Sequence, residues 1–319
     1  MTCPTAAATT GWGPVRGTPT SVLTPADTLE VAGRQVRFTH PDRVLYPSTG
    51  TTKADVLHYL LEAAAVLVPQ AAGRPATRKH WMGGVGTAER PGESYFRKDL
   101  EDSAPEWIPR ANLRHRDHTN TYPIVDGPAV LAWFAQRAAL EIHVPQWRMG
   151  PGNRAHGPDR LVIDLDPGAG VDLAGVAEVA HWCREALGRR GLAALPVTSG
   201  SKGIHLYAGL GKGTTADEST RIAHEVALEL ESAHPRRVVS EMKRSLREGK
   251  VLVDWSQNMA HKTTVCPYSL RGRLRPTVAA PRTWSELADP KLSQLEYPEV
   301  LERIAAGLDP MAEPGWRAP

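Results

Sequence analysis

Cysteine is scarce and long apolar runs are missing, and each shortage closes off a class of protein. The three cysteines, Cys3, Cys183 and Cys266, are odd in number and widely scattered, so they offer neither a disulfide framework nor a zinc site. No stretch approaches the roughly 18 consecutive apolar residues of a membrane span. The N-terminal sequence MTCPTAAATTGWGPVRG has no charged segment followed by an apolar one, so no secretory signal is evident and the cytoplasm is the default location. A P-loop is missing too, because Gly211-Lys212-Gly213-Thr214 has no hydroxyl residue directly after its lysine. Net charge is only +3 over 319 residues, but it is unevenly spread. Residues 236–275 carry ten Lys or Arg against three Asp or Glu, a local +7 that leaves −4 for the rest. A basic field of that kind attracts phosphate-rich substrates.

Three short segments carry chemistry. LVIDLDPG (161–168) reads as a strand, and residues two apart on a strand share a face. Asp164 and Asp166 therefore project to one side, with Ile163 and Leu165 on the other. VLVDWSQN (251–258) delivers a further carboxylate, Asp254, from inside the basic stretch. Three carboxylates converging in one cleft repel unless cations sit among them. Oxygen-rich sites of this kind hold Mg²⁺ or Mn²⁺, and two such ions about 3.5–4 Å apart clamp an in-line phosphoryl or nucleotidyl transfer. Between these segments lies SGSKGIHLY (199–207), whose Ser199, Lys202, Gly203 and His205 form a basic, hydroxylated turn. Its glycines let backbone amides approach a triphosphate closely. Acid, base, acid is the order of a nucleotidyltransferase.

Residues 1–33 are rich in Thr, Pro, Gly and Ala without periodicity and read as a flexible leader. A single catalytic domain is expected over 34–310, with an N-terminal module to about 150, a catalytic module over about 151–310 and a short tail at 311–319. In the first module Thr51 or Thr52 caps a helix running to about Val68, strands joined by a glycine-rich turn occupy 76–98, and 128–140 make an amphipathic helix. In the second, a strand (161–166), a helix (171–189), two strands (194–198 and 203–208), a helix (216–232) and a strand (251–255) follow in order. That βαββαβ order is the split-βαβ pattern of ferredoxin-like, RRM-like and polymerase-palm sheets. The fold class is α/β (α+β), and PRTWSEL and YPEVLERI read as short closing helices.

With these residues in view, the chain resembles the polymerase domain of bacterial ATP-dependent DNA ligase D, a branch of the archaeo-eukaryotic primase superfamily. The match runs from about 36 to 306 through RVLYPSTGTTKAD, GRPATRK, YFRK, LEIHVPQW, RLVIDLDPG, VTSGSKGIHLY, RSLREGKVLVDWSQN, PYSLRGR and PTVAAPRTW. The resemblance implies a primase-like two-module core that adds nucleotides, ribonucleotides by preference, at DNA ends and short gaps. It implies Asp164, Asp166 and Asp254 as ligands of two divalent cations, Mn²⁺ or Mg²⁺. Ser199, Lys202, Gly203, His205, Arg247 and Arg271 would then meet the incoming NTP or dNTP, and His143 its sugar. It also implies that Lys53, at a helix start, and Arg43 recognise a downstream 5′-phosphate, and that Tyr95 and Phe96 stack on the template.

The partners so implied are DNA ends, gaps and overhangs, the end-binding protein Ku and a DNA ligase, with a monomer working in the bacterial nucleoid and no membrane association. Neither a K-x-D-G ligase motif nor a His-rich phosphoesterase segment occurs, so a stand-alone polymerase is expected, in end joining or in gap repair. Two other readings share some of these residues. A metal-dependent nuclease would use the carboxylates but not the basic turn, and a non-catalytic end-binding module would have no use for the carboxylates.

Overall fold

The computed structural model describes residues 27–316, so most of the expected leader and the last residues of the tail lie outside the described residues. Order begins earlier than the leader's expected end. Thr28–Val31 pairs with Arg34–Arg37 in a hairpin that straddles residue 33, and its Val31 and Val36 are buried.

The strands of the two main sheets, in chain order, are β1 (Thr77–His80), β2 (Tyr95–Arg97), β3 (Ala139–Val144), β4 (Arg160–Pro167), β5 (Ala194–Thr198), β6 (Ile204–Gly209), β7 (Val238–Val239), β8 (Val251–Asp254), β9 (Thr264–Val265) and β10 (Ala280–Pro281). The helices are α1 (Lys53–Glu62), α2 (Ala64–Ala71), α3 (Pro128–Gln136), α4 (Leu173–Gly188), α5 (Ala216–Ala233), α6 (Trp284–Leu287) and α7 (Tyr297–Ala305). One sheet runs β9-β3-β1-β2 and the other β7-β8-β4-β6-β5-β10.

The catalytic module follows the sequence expectation closely. β4, α4, β5, β6, α5 and β8 appear in the βαββαβ order, and β4 sits between β8 and β6, antiparallel to both. Alternation along β4 explains the layering. Leu161, Ile163 and Leu165 turn to one face, where they pack with Val176, Val179 and Cys183 of α4 and Ala223, Val226 and Leu230 of α5. Val162 turns to the other face with Val197 of β5 and Tyr207 of β6, into the core of the N-terminal module. The same face then turns acidic at Asp164 and Asp166. One strand thus carries a core residue and two cleft residues on a single face.

The N-terminal module departs from the sequence reading in two places. The helix expected from Thr51 does start at a threonine cap, since Thr52 Oγ accepts from the Asp55 amide while the Asp55 carboxylate accepts from the Thr52 amide at 2.7 Å. It breaks at Ala63 into α1 and α2 rather than running on to Val68 unbroken. The helix expected over 128–140 ends at Gln136, because Ala138 takes a left-handed φ of 47° and Ala139 and Leu140 already belong to β3. Buried apolar residues continue across the turn, so periodicity alone could not locate it.

Nor do the modules divide cleanly at residue 150. β9 leaves the catalytic module to pair with β3, where Val265 lies opposite His143, and β10 then returns to the edge of β5. This weave brings His143 and β9 to the mouth of the catalytic sheet.

Candidate active site

Strand register assembles the site. Asp164 lies opposite Asp254 of β8 on one side and His205 of β6 on the other, so three polar side chains form one row across the sheet. Asp166 stands on the same face one pleat further along. The row opens into a cleft of about 170 Å³, lined by His143, Asp164, Asp166, Ser199, His205 and Arg271 among the sequence-predicted residues, with Ser201, Gln257, Thr263, Thr264, Val265 and Arg273 completing it. His205 Nε2 approaches Asp164 Oδ1 at 3.3 Å, while its buried Nδ1 has no partner.

The cleft's electrostatics follow from that crowding. The charge of Asp164, then burial, raises the pKa of Asp166 to about 6, against the opposing pull of His205 and Arg247. On the opposite wall Glu141 is a hub, accepting from His143 Nε2 at 2.8 Å and from the Gly272 amide at 3.1 Å and pairing with Arg271 Nε at 3.2 Å. Burial works to raise the Glu141 pKa, but the His143 bond and the Arg271 charge outweigh it and hold the carboxyl well below its usual range. His143 is in turn lowered by burial, which leaves a neutral ring donating to a carboxylate.

Asp254 shares the row with Asp164, but its carboxylate is engaged by its own turn. Asp254 is buried, with Oδ1 taking the Ser256 amide at 2.9 Å and hydroxyl at 2.7 Å, and Oδ2 taking Gln257 Nε2 at 3.0 Å. Gln257, not Asp254, lines the cleft. Among the described residues no group of three His, Cys, Asp or Glu side chains is gathered as a metal site. Asp164 and Asp166 do fit a hard divalent cation: two carboxylates on one face, one of them driven toward protonation by the other's charge and by burial. Asn258 fixes the turn behind them. Its side chain donates to Val162 O at 2.7 Å and accepts from Val162 N at 2.9 Å, replacing the strand that β8 no longer supplies there.

The turn after β5 corrects an expectation. The amides of Ser201 and Gly203 donate to Ser199 Oγ at 3.3 and 3.1 Å, and the Gly200 amide donates to Gln294 Oε1 at 2.7 Å. Those three amides are spent inside the protein and do not form a cradle. The glycines serve packing: Gly200 has φ +67°, and a Cβ on Gly203 would lie 2.1 Å from Leu165 O. Arg271 Nη1 donates to Ser199 O, tying the turn to the opposite wall. Lys202 is exposed and lines a neighbouring hollow with Pro167 and Gln294. Arg247 donates to Met242 O rather than into the cleft.

Of the residues expected at the DNA end, Lys53 and Arg43 do not line this cleft, while Phe96 borders it through His143. Lys53 is 5% exposed, not a surface lysine, and its Nζ donates to Thr39 O and Gln136 Oε1, both at 2.6 Å. Burial, then the nearby Arg43 and Arg137, lowers its pKa to about 8. Arg43 is exposed, donates to Met82 O at 3.1 Å and receives the Lys53 amide at its carbonyl. Tyr95 and Phe96 are 43% and 57% exposed, so neither belongs to the core. Tyr95 stacks on His80 with centroids 5.1 Å apart, and Phe96 meets His143 edge-on at 5.2 Å. Lys79 Nζ lies 5.1 Å from the centre of the Phe96 ring.

The primase-polymerase domain family of ligase D, described as "LigD, primase-polymerase domain", matches residues 52–311. The chain belongs to that family. It is thereby a nucleotidyltransferase with a primase-like fold. This primase-polymerase chain is 54% identical over 277 residues to the multifunctional non-homologous end joining DNA repair protein LigD of Mycobacterium tuberculosis, covering 85% of this chain and 36% of that protein. It is 29% identical to the bifunctional end joining protein LigD of Bacillus subtilis over 254 residues, 79% of this chain and 39% of that one. The chain thus spans about a third of the length of the curated relatives it matches. Among solved structures it is similar to the polymerase domain of Mycobacterium tuberculosis ligase D in complex with DNA, with a TM-score of 0.82 and 53% identity over 88% of this chain and 98% of that one. Sequence reasoning gave no role to Arg273, Gln257 or Lys79. Arg273 was within reach, because it follows Arg271 by two in the PYSLRGR segment already singled out.

Proposed function

We propose that this primase-polymerase chain adds nucleotides, ribonucleotides by preference, to DNA ends and across short gaps during non-homologous end joining or short-gap repair. The observation that carries the reading is the cross-strand row of Asp164 between Asp254 and His205, facing a wall that bears Arg271 and Arg273. Two divalent cations, Mn²⁺ or Mg²⁺, held by Asp164 and Asp166 with Asp254, would neutralise the triphosphate and the departing pyrophosphate. Asp254 joins them by giving up its bond to Gln257. Arg271 supplies cationic donors to the triphosphate from the cleft wall, Arg247 would join it by releasing Met242 O and Lys202 by turning in from the neighbouring hollow, and Arg can grip it with paired bonds. His205 braces Asp164, while Ser199 and His143 present polar groups where a 2′-hydroxyl can be satisfied.

Recognition of the downstream end belongs to the same reading. A 5′-phosphate beside Arg43 would compete with Thr39 O and Gln136 Oε1 for Lys53 and draw its pKa back up. Tyr95 and Phe96 offer exposed rings to a template base. Ku and a ligase are the partners that end joining requires, and a bacterial nucleoid is where such a monomer would act.

The deciding experiment is primer extension on a short gap, comparing NTP with dNTP and 5′-phosphate with 5′-hydroxyl. Asp164→Asn and Asp166→Asn are each expected to cut nucleotide addition by about a thousandfold or more while DNA affinity stays within about twofold. Near-normal extension by either variant would remove the catalytic assignment. Equal efficiency with NTP and dNTP would remove the ribonucleotide preference alone.

A further inference from the structure

A second cavity, of about 480 Å³, lies at the far end of β4 from the catalytic carboxylates. Arg160 opens β4, about 20 Å along the strand from Asp166 at ~3.3 Å per residue, so the two sites do not overlap. Four cations line this cavity, Arg74, Arg148, Arg160 and Lys212, against the single carboxylate of Asp159. Asp159 is already divided, with Oδ1 on Arg74 Nη2 at 2.5 Å and Oδ2 on Arg148 Nε at 2.7 Å. Carbonyl oxygens take part of what remains: Pro145 O accepts from Arg74 at 3.2 Å, Ala72 O from Arg148 at 2.6 Å, and Gln70 O sits 3.5 Å from Arg160. Gln146 Oε1 accepts from Arg160 Nε at 2.7 Å, and two buried donor atoms are left over.

Arg74 is 1% exposed and Arg160 2%, yet Arg74 Nε and Arg160 Nη2 have no hydrogen-bond partner. Burial, then the charge of Arg160, pushes the Arg74 pKa down to about 9, which measures how poorly its charge is compensated. Both atoms are closed off from the cavity itself, so an anion there offsets their charge through space while its oxygens meet the accessible donors of Arg148 and Lys212. Nothing in the nucleotidyl transfer uses this place.

We propose that the cavity binds the phosphate group of a nucleotide. Four positive charges against one negative leave an excess near +3, which a single carboxylate does not meet and a terminal phosphate of about −2 largely does. The exposed Arg148 guanidinium and Lys212 ammonium at the rim, backed by the two buried guanidinium charges, suit the several acceptor oxygens of a phosphate better than the planar pair of a carboxylate. The cavity is also larger than a bare phosphate, and Pro69, Leu210 and Trp316 give it an apolar wall against which a nucleoside can rest. The phosphate can come from a free mononucleotide or from the 5′-end of a strand.

Calorimetric titration in EDTA, with AMP, pyrophosphate and short 5′-phosphorylated or 5′-hydroxyl oligonucleotides, tests this. Lys212→Gln and Arg148→Gln alter the exposed rim and leave the buried pair in place, and Arg271→Gln removes anion binding at the catalytic cleft. AMP is expected to show a component that survives Arg271→Gln and weakens about tenfold or more in the Lys212→Gln/Arg148→Gln protein. Competition of AMP by the 5′-phosphorylated oligonucleotide, but not by its 5′-hydroxyl counterpart, assigns the site to a strand end. Competition by neither assigns it to free nucleotide. Anion binding abolished by Arg271→Gln alone, or indifferent to the Lys212 and Arg148 changes, overturns the proposal. That result would leave the carboxylate tests of nucleotide addition standing.

Discussion

Beneath the six-stranded sheet, Ile163, Leu165, Leu206 and Val253 meet two helices through aliphatic contacts alone. The four-stranded sheet buries charge instead. Arg78 of β1 is fully buried, paired with Glu101 at 2.8 Å and lying over the rings of Trp133 and Phe134 at 5.2 and 5.7 Å. Next to it Glu141 of β3 is held between His143 and Arg271, and His80 is buried beside Arg137 O. The difference teaches what each sheet is for. One is a platform whose helix-packed face carries no charged strand residue, and the other carries ionic cross-links through its interior to fix loops that reach the cleft. Apolar burial is forgiving of small shifts, whereas a buried ion pair holds one geometry or costs several kcal/mol.

The sharpest way to break the contrast is to remove one partner of the buried pair. Arg78→Ala is expected to cost about 3–5 kcal/mol in urea unfolding, because Glu101 loses its shortest partner and keeps only Arg97 at 3.5 Å and Arg137 at 3.4 Å, whereas Arg78→Met with Glu101→Leu should recover most of it. Leu206→Ala under the other sheet should cost about 2–5 kcal/mol, with no second change that rescues it. Failure of the double variant to recover would mean that the ionic sheet is no different in kind.

A pH titration of stability sharpens the same comparison at smaller amplitude. Burial, against the Arg137 carbonyl bond, lowers the His80 pKa to about 4, while the unfolded chain titrates near 6.5. The unfolded state therefore takes up the proton first, so stability is full above about pH 6.5 and falls as the pH drops through 4, by about 2–3 kcal/mol. His80→Gln should flatten that slope between pH 6.5 and 4. An unchanged slope would place the acid sensitivity elsewhere.

The smallest expected effect on folding, though not on function, belongs to Phe96. Its ring is exposed, so Phe96→Ala should leave stability within about 0.5 kcal/mol. Affinity for a template with an unpaired base should fall by about 1–3 kcal/mol in fluorescence anisotropy, as expected for a lost stacking surface. Unaltered binding would return Phe96 to the role of a partner for His143 and Lys79 only.

How far the sequence could be read follows the same division. The catalytic sheet was legible because its strands alternate: an aliphatic face, then aspartates on the other face of β4, with each helix opened by a side-chain cap at Asp172 or Thr215. What escaped was set by contacts between distant segments. Spacing could not reveal that Gln294 would take the Gly200 amide, nor that Ser256 and Gln257 would hold Asp254 back from the cleft. Lys53 read as a residue at a helix start, and only the packing of α1 against Gln136 of α3 shows it to be buried. The turn at Ala138 was hidden because buried residues continue on both sides of it.

The weave of β9 and β10 has a mechanical consequence. The polypeptide passes from the six-stranded sheet to the four-stranded one and back, and Val162, Val197 and Tyr207 are sunk in the same apolar mass as the N-terminal helices. Two jaws stitched together in this way cannot swing about a hinge. What such a vise leaves free to move is its rim of side chains and turns, chiefly the turn braced by Gln294 and the exposed pair Tyr95 and Phe96.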